Sequence, residues 1–171
     1  MAATLTLLDE LIKEHRVIRQ GLEAAMQVAN DAGAIFELAK AKQDFVPGRL
    51  ADHRRPLQDL QKTLDTVEQG LNRHFEREEK ALLVLFQEHG SDMLTSALRI
   101  LLLEHKELRD RITESKKEVA ELVSTRLPRE LSEGRAWGVR VYISHTQKLM
   151  GAHAHSEEEL FQKLRDELTR K

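Results

Sequence analysis

Apolar residues recur at every third or fourth position through four long stretches of this 171-residue chain. That spacing lays one apolar stripe along each of four helices, and four stripes of this length must be buried against one another. The first stripe holds Leu8, Ile12, His15, Ile18, Leu22 and Met26; the second holds Leu57, Leu60, Leu64, Val67, Leu71, His74, Glu78 and Leu82. The third carries Leu98, Leu101, Leu102, His105, Leu108, Ile112 and Val119, and the fourth Val141, His145, Leu149, Ala152, Leu160, Leu164 and Leu168. Each stripe is interrupted by histidine, and one by glutamate, where a plain core would have a hydrocarbon.

The breaks between stripes carry residues that end and start helices. Asn30, Asp31 and Gly33 are expected to close the first helix. Residues from about 31 to 55 read as a connector, in which Phe36 to Phe45 has the pattern of a short helix before Pro47-Gly48. Pro56 suits a first helical turn, Gly90 an end, and Ser91-Asp92 a cap for the third helix. Pro128 separates the third helix from a fourth that starts near Arg129. Short connections favour antiparallel neighbours, so the expected fold is an all-α, up-down antiparallel four-helix bundle, with residues 1–171 forming a single domain. Composition agrees: 33% of residues are charged and 4% aromatic, with three prolines, as in long helices.

Several function classes drop out. Basic and acidic residues interleave to a net charge of −2, which argues against a nucleic-acid partner. Apolar runs such as Ile100 to Leu103 are far below the ~20 residues of a membrane span, and Met1 opens no signal pattern; a soluble, cytoplasmic protein is expected. With no cysteine, thiolate zinc sites, iron–sulfur clusters and thiol nucleophiles are excluded. Any metal must be held by nitrogen and oxygen.

The two halves of the chain repeat each other. Leu11-Ile12-Lys13-Glu14-His15-Arg16-Val17-Ile18-Arg19 aligns without gaps on Leu101-Leu102-Leu103-Glu104-His105-Lys106-Glu107-Leu108-Arg109. His74, followed by Glu78-Glu79, has its counterpart in His153, followed by Glu157-Glu158. Residues four apart lie about 6 Å along one side of a helix. His74 with Glu78 and His153 with Glu157 can therefore face inward together, joined by His15 and His105 at one level of the core. Four imidazoles and two carboxylates are too many for one tetrahedral ion and suit two. Iron, manganese and zinc all accept this ligand set; iron is preferred, and Glu79 and Glu158 are candidates for supporting the ligands from outside.

These residues resemble the hemerythrin-like, HHE-type family of cation-binding domains, whose halves each carry a Glu-His helix followed by a His-x-x-x-Glu helix. The resemblance spans about Leu5 to Leu168. It implies two iron ions with oxo or hydroxo and carboxylate bridges, held by His15, His74, Glu78, His105, His153 and Glu157, and able to bind dioxygen or a related small molecule such as nitric oxide or peroxide, or to respond to iron itself. Oxygen carriers of this family have a further histidine where this chain has Arg109, so reversible oxygen transport is not implied. Many relatives have proline where this chain has Gln162.

Other readings compete at particular positions. His155 with Glu159 forms a second His-x-x-x-Glu pair, but positions two apart diverge by about 200° around a helix, so only one register can face the core; the doublet at Glu157-Glu158 favours His153. His145, eight residues from His153, reads as a polar core residue or part of an access path. His53 and His89 read as surface and helix-end histidines, and Trp137 and Tyr142 as packing residues. A ferritin-like oxidase would need Glu-x-x-His helices, and no glutamate here has histidine three residues later. No enzymatic substrate is visible, and any activity would be redox chemistry or peroxide scavenging at the metals. The alternative from another class is a metal-free, or zinc- or manganese-binding, helical interaction module.

Overall fold

A computed structural model describes residues 2–41, 54–124 and 129–170, and every one of these is helical except Gly90, Ser91 and Leu103. Four helical rods result. The first is α1 (Ala2–Ala41); the second joins α2 (Arg54–Arg77), a single π-helical turn (Glu78–Leu82) and α3 (Leu83–His89). The third joins α4 (Asp92–Leu102) and α5 (Glu104–Ser124), and the fourth is α6 (Arg129–Arg170). Helix α1 packs on α2 and α6, and α5 packs on the same two. Among the described residues, no helix is long and apolar enough to cross a membrane.

The first helix does not end at Asn30, Asp31 or Gly33, as its composition led us to expect. It continues to Ala41, so the expected connector of 31–55 is helical at 31–41 and again from Arg54. The helix runs through Gly33 without ending, and Arg140 of α6 lies across it, its Nη1 2.7 Å from where a Cβ would stand. Residues 42–53, with Pro47-Gly48 and His53, lie outside the described residues, as does Pro128. The expected Gly90 break is present. Its N–H donates to the Phe86 carbonyl at 2.9 Å, Ser91 Oγ accepts from the Leu94 N–H at 3.4 Å, and the Thr95 hydroxyl donates to the same Phe86 carbonyl. These bonds satisfy backbone groups that a helix end leaves orphaned.

Two irregularities lie close to the candidate ligands. The third rod, expected to be continuous, is interrupted at Leu103, whose N–H donates to Ile100 three residues back at 3.2 Å, a tightened turn just before Glu104-His105. In the second rod the Leu83 N–H reaches the Glu78 carbonyl five residues back. The wider turn keeps Glu78, Leu82 and Phe86 buried on one face, although two successive steps of four would drift around a regular helix.

The buried face of α6 also differs from the expected stripe. Ala136, Val139, Ile143, Thr146, Met150 and His153 are buried, whereas Val141, His145 and Ala152 are exposed. Trp137 and Tyr142 are not packing residues either, being 63% and 38% exposed. In its first half the inward face of this helix mixes Val139 and Ile143 with Ala136 and Thr146, while Trp137, Val141 and Tyr142 lie outside, so the hydrophobic signal of the inward face is diluted.

The core is stacked in three apolar layers. One holds Leu8, Leu11, Leu82, Phe86, Leu98, Phe161 and Leu164. The middle layer contains Ile18, Leu22, Leu71, Phe75, Leu108, Ile112 and Met150, and the third Ala25, Leu60, Leu64, Val119, Val139 and Ile143. In chain position the histidines and inward glutamates fall between the first two layers. Helices α1 and α2 are in tight contact at Gly21, where a Cβ would come within 2.9 Å of Val67 Cγ2. Gly21→Ala is accordingly expected to destabilise the fold by about 1–3 kcal/mol, the usual range for an overpacked contact, measured by denaturant unfolding. An unchanged midpoint would show that α1 moves aside freely.

Candidate metal centre

His15, His74, Glu78, His105, His153 and Glu157 all come together in the core, and all are buried. They form two overlapping sets. His15 and His74 make one with Glu78 and Glu157; His105 and His153 make the other with the same two carboxylates. In each set one ligand atom per residue lies within 4.8 Å of the others. Glu78 sits between the sets: Oε1 lies 2.9 Å from His74 Nε2 and 3.5 Å from His15 Nε2, while Oε2 lies 3.2 Å from His105 Nε2. Glu157 Oε2 lies 3.2 Å from His15 Nε2 and 3.6 Å from His153 Nε2.

Each imidazole is oriented from behind by a glutamate of a neighbouring rod. His74 Nδ1 donates to Glu14 at 2.9 Å, His105 Nδ1 to Glu79 at 2.9 Å, His153 Nδ1 to Glu104 at 3.0 Å, and His15 Nδ1 to Glu158 at 3.2 Å. The four bonds run as a cycle, α1 to the second rod, the second to α5, α5 to α6, and α6 back to α1. A proton held on Nδ1 leaves the Nε2 lone pair aimed inward, the orientation that metal-ligating histidines adopt. Glu79 and Glu158 were candidates for this role from their place in the repeat. Glu14 and Glu104 were missed, although the repeated Glu-His dipeptide carries them; their partner is on another helix, which spacing along the chain does not reveal.

The residues fit bound metal. With Nδ1 protonated, the Nε2 atoms of His105 and His153 face each other at 3.2 Å, lone pair to lone pair. His74 Nε2, both oxygens of Glu78 and Glu157 Oε1 are buried with no hydrogen-bond partner among the described residues; the 2.9 Å approach of His74 to Glu78 lacks hydrogen-bond alignment. Buried acceptors without donors are costly, and positive charge among them removes the cost. Without metal, protons must do this. Burial beside Glu78 pushes the Glu157 carboxyl up to about 8. Burial alone would lower His15, but the hydrogen bond to Glu157 and the adjacent Glu78 carboxylate outweigh it and raise the imidazole to about 10. Burial also raises Glu78, yet His105, His15 and His74 together hold it well below the usual carboxylate range; burial lowers His153.

These directions set a pH dependence. A raised histidine contributes stability that is full below its ordinary value of 6.5 and is lost as pH climbs toward about 10. The raised Glu157 acts in the same sense between 4.5 and about 8, while Glu78 and His153 titrate on the acid side. The metal-free protein should therefore melt at a lower temperature at about pH 9.5 than at about pH 7, and added metal should reverse the order because ligands bind deprotonated. Thermal melts with and without chelator check this, and a metal-free melt that rises with pH contradicts it.

The remaining candidates lie elsewhere. His155 is 77% exposed and 3.6 Å from Glu159, on the outside of α6. His145 lines an outer groove with Met26, Trp137, Arg140 and Lys148. Arg109 does not turn into the site: its Nη1 donates to Glu79 at 2.9 Å and its guanidinium lies 5.1 Å over the Phe75 ring. Phe75 in turn stacks on His105 with centroids 3.8 Å apart.

Comparison with curated proteins and with solved structures returned no match. The hemerythrin HHE cation-binding domain model matches residues 6–165, a span that includes both halves of the repeat and all six inward histidines and glutamates. Its stated property, cation binding, suits the unpartnered donor atoms in the core. The chain belongs to the hemerythrin HHE cation-binding domain family.

Proposed function

We propose that this chain is a non-haem di-iron protein that binds or responds to dioxygen or a related small molecule such as nitric oxide or peroxide. We further propose that His15, His74, Glu78, His105, His153 and Glu157 are the ligands. The observation that carries this reading is the sharing of Glu78 and Glu157 between two sets of donors, as bridging carboxylates would be shared by two ions. Mixed imidazole and carboxylate donors suit iron. Four nitrogens and four carboxylate oxygens fall short of the roughly twelve positions of two octahedral ions, which leaves places for a small exogenous ligand. Bound iron would supply the redox or ligand-binding chemistry; the protein orients the imidazoles and keeps bulk water out with the apolar layers on either side.

The bundle is proposed to be one up-down domain with antiparallel neighbours. Supporting this, a single apolar layer joins the start of α1, the end of the second rod, the start of α4 and the end of α6.

Metal analysis of protein from iron-supplied cells, with an absorption spectrum in air, tests the function. About two irons per chain and ferric charge-transfer bands are expected. His153→Ala should lose metal while His155→Ala keeps it. Undetectable iron after anaerobic reconstitution would sink the proposal and favour the metal-free helical module; stoichiometric zinc or manganese in its place would overturn the choice of iron.

A further inference from the structure

The four histidine–glutamate pairs are alike in their first bond and unlike in what lies behind it. Glu14, which holds His74, is bound by Arg77 Nη1, and Arg77 Nη2 also takes Glu10 at 2.6 Å. Glu79, which holds His105, is bound by Arg109 through the same oxygen that accepts from the imidazole. His105 is further fixed by the Phe75 ring, which lies parallel to it and beneath the Arg109 guanidinium. Glu104 and Glu158, holding His153 and His15, have no arginine or lysine partner among the described residues; exposure does not separate the pairs, since Glu158 is 37% exposed and the arginine-backed Glu79 36%. The nearest ring stacked on His15 is Phe161, at a loose 6.2 Å.

The difference follows the bundle. Both arginine-backed pairs lie on the seams of the second rod, with α1 and with α5; both unbacked pairs lie on the seams of α6. Each set of metal ligands contains one histidine of either kind. A carboxylate that a guanidinium also holds has fewer ways to swing away than one held by the imidazole alone.

Resting on the metal-centre reading, we propose that metal enters and leaves along α6, through outward turning of His15 and His153, while Arg77 and Arg109 act as positioning residues that keep His74 and His105 fixed. In each set one imidazole stays to hold the ion as the other turns. No ligand need be lost from the second rod.

The test has two arms. In the metal-free full chain, labelled with nitrogen-15 at histidine, Nδ1–H exchange with water is expected to be about fivefold slower for His74 and His105 than for His15 and His153, the factor one partly exposed ion pair supplies. Arg77→Gln should speed exchange at His74 alone and Arg109→Gln at His105 alone, with the lysine variants intermediate. In protein loaded with cobalt(II) alone, each glutamine variant should speed release to a chelator by about tenfold, the scale of a lost outer partner. Equal exchange at all four rings, or an arginine variant that speeds all four alike, would overturn the positioning role. Normal ring exchange in a chain that takes up no cobalt would instead remove the metal reading, and the exchange route with it.

Discussion

Glu78→Gln is expected to empty both metal positions at once. Its two oxygens face the Nε2 atoms of three of the four histidines, between 2.9 and 3.5 Å away, so no other single side chain serves both sets so fully. An amide keeps the volume and removes the charge, which isolates the electrostatic contribution from packing. The expected loss of metal affinity exceeds the roughly 10–100-fold caused by removing an outer partner of a ligand. Chelator competition measures it, with the apo melt as a control on folding. Retention of one metal per chain would show that Glu78 serves a single ion and that the two sets are independent.

Phe75→Ala carries the second large expected effect. The ring is fully buried, belongs to the middle apolar layer, stacks on His105 and lies edge-on to His153 with centroids 5.9 Å apart. Truncating a buried phenylalanine to alanine costs about 3–5 kcal/mol, a large part of the ~5–15 kcal/mol by which a domain of this kind is stable. The cavity would border both His105 and the Arg109 guanidinium, so metal affinity should fall together with stability. Denaturant unfolding with a parallel metal titration checks both. Phe75→Leu restores most of the volume without the flat ring face, and should recover stability more than affinity. If stability falls while affinity is unchanged, the ring is filler and does not help to orient His105.

How far the sequence could be read depended on whether a feature was local. The second rod's stripe, from Leu57 through Leu82, is buried at all eight expected positions, because large residues recur there on one face only. In α6 the expected Leu160, Leu164 and Leu168 are buried, but earlier in the helix the inward positions include Ala136 and Thr146 while Trp137, Val141 and Tyr142 crowd the outside, so there periodicity pointed the wrong way. Gly33 looked like a terminator, but the helix runs on past it against Arg140, a neighbour more than a hundred residues distant that no local signal records. At the site, the turn-spaced His-x-x-x-Glu pairs are local and could be read directly. Which glutamate steadies which imidazole depends on the order of rods around the bundle, and no spacing records it. The π-helical turn at Glu78 belongs to the same class, being a register adjustment demanded by what the second rod packs against.

The cycle of carboxylate–imidazole bonds has a consequence for the ancestry and divisibility of the chain. Within the first half, Glu14 steadies His74; within the second, Glu104 steadies His153. The other two bonds, Glu79 to His105 and Glu158 to His15, pass from one half to the other, as does the approach of Glu78 to His105. A half-length chain therefore carries one complete link and two open ends, and two such chains related by a twofold axis would satisfy each other's ends. Fusing them turns an encounter between two molecules into the folding of one, and frees the halves to differ.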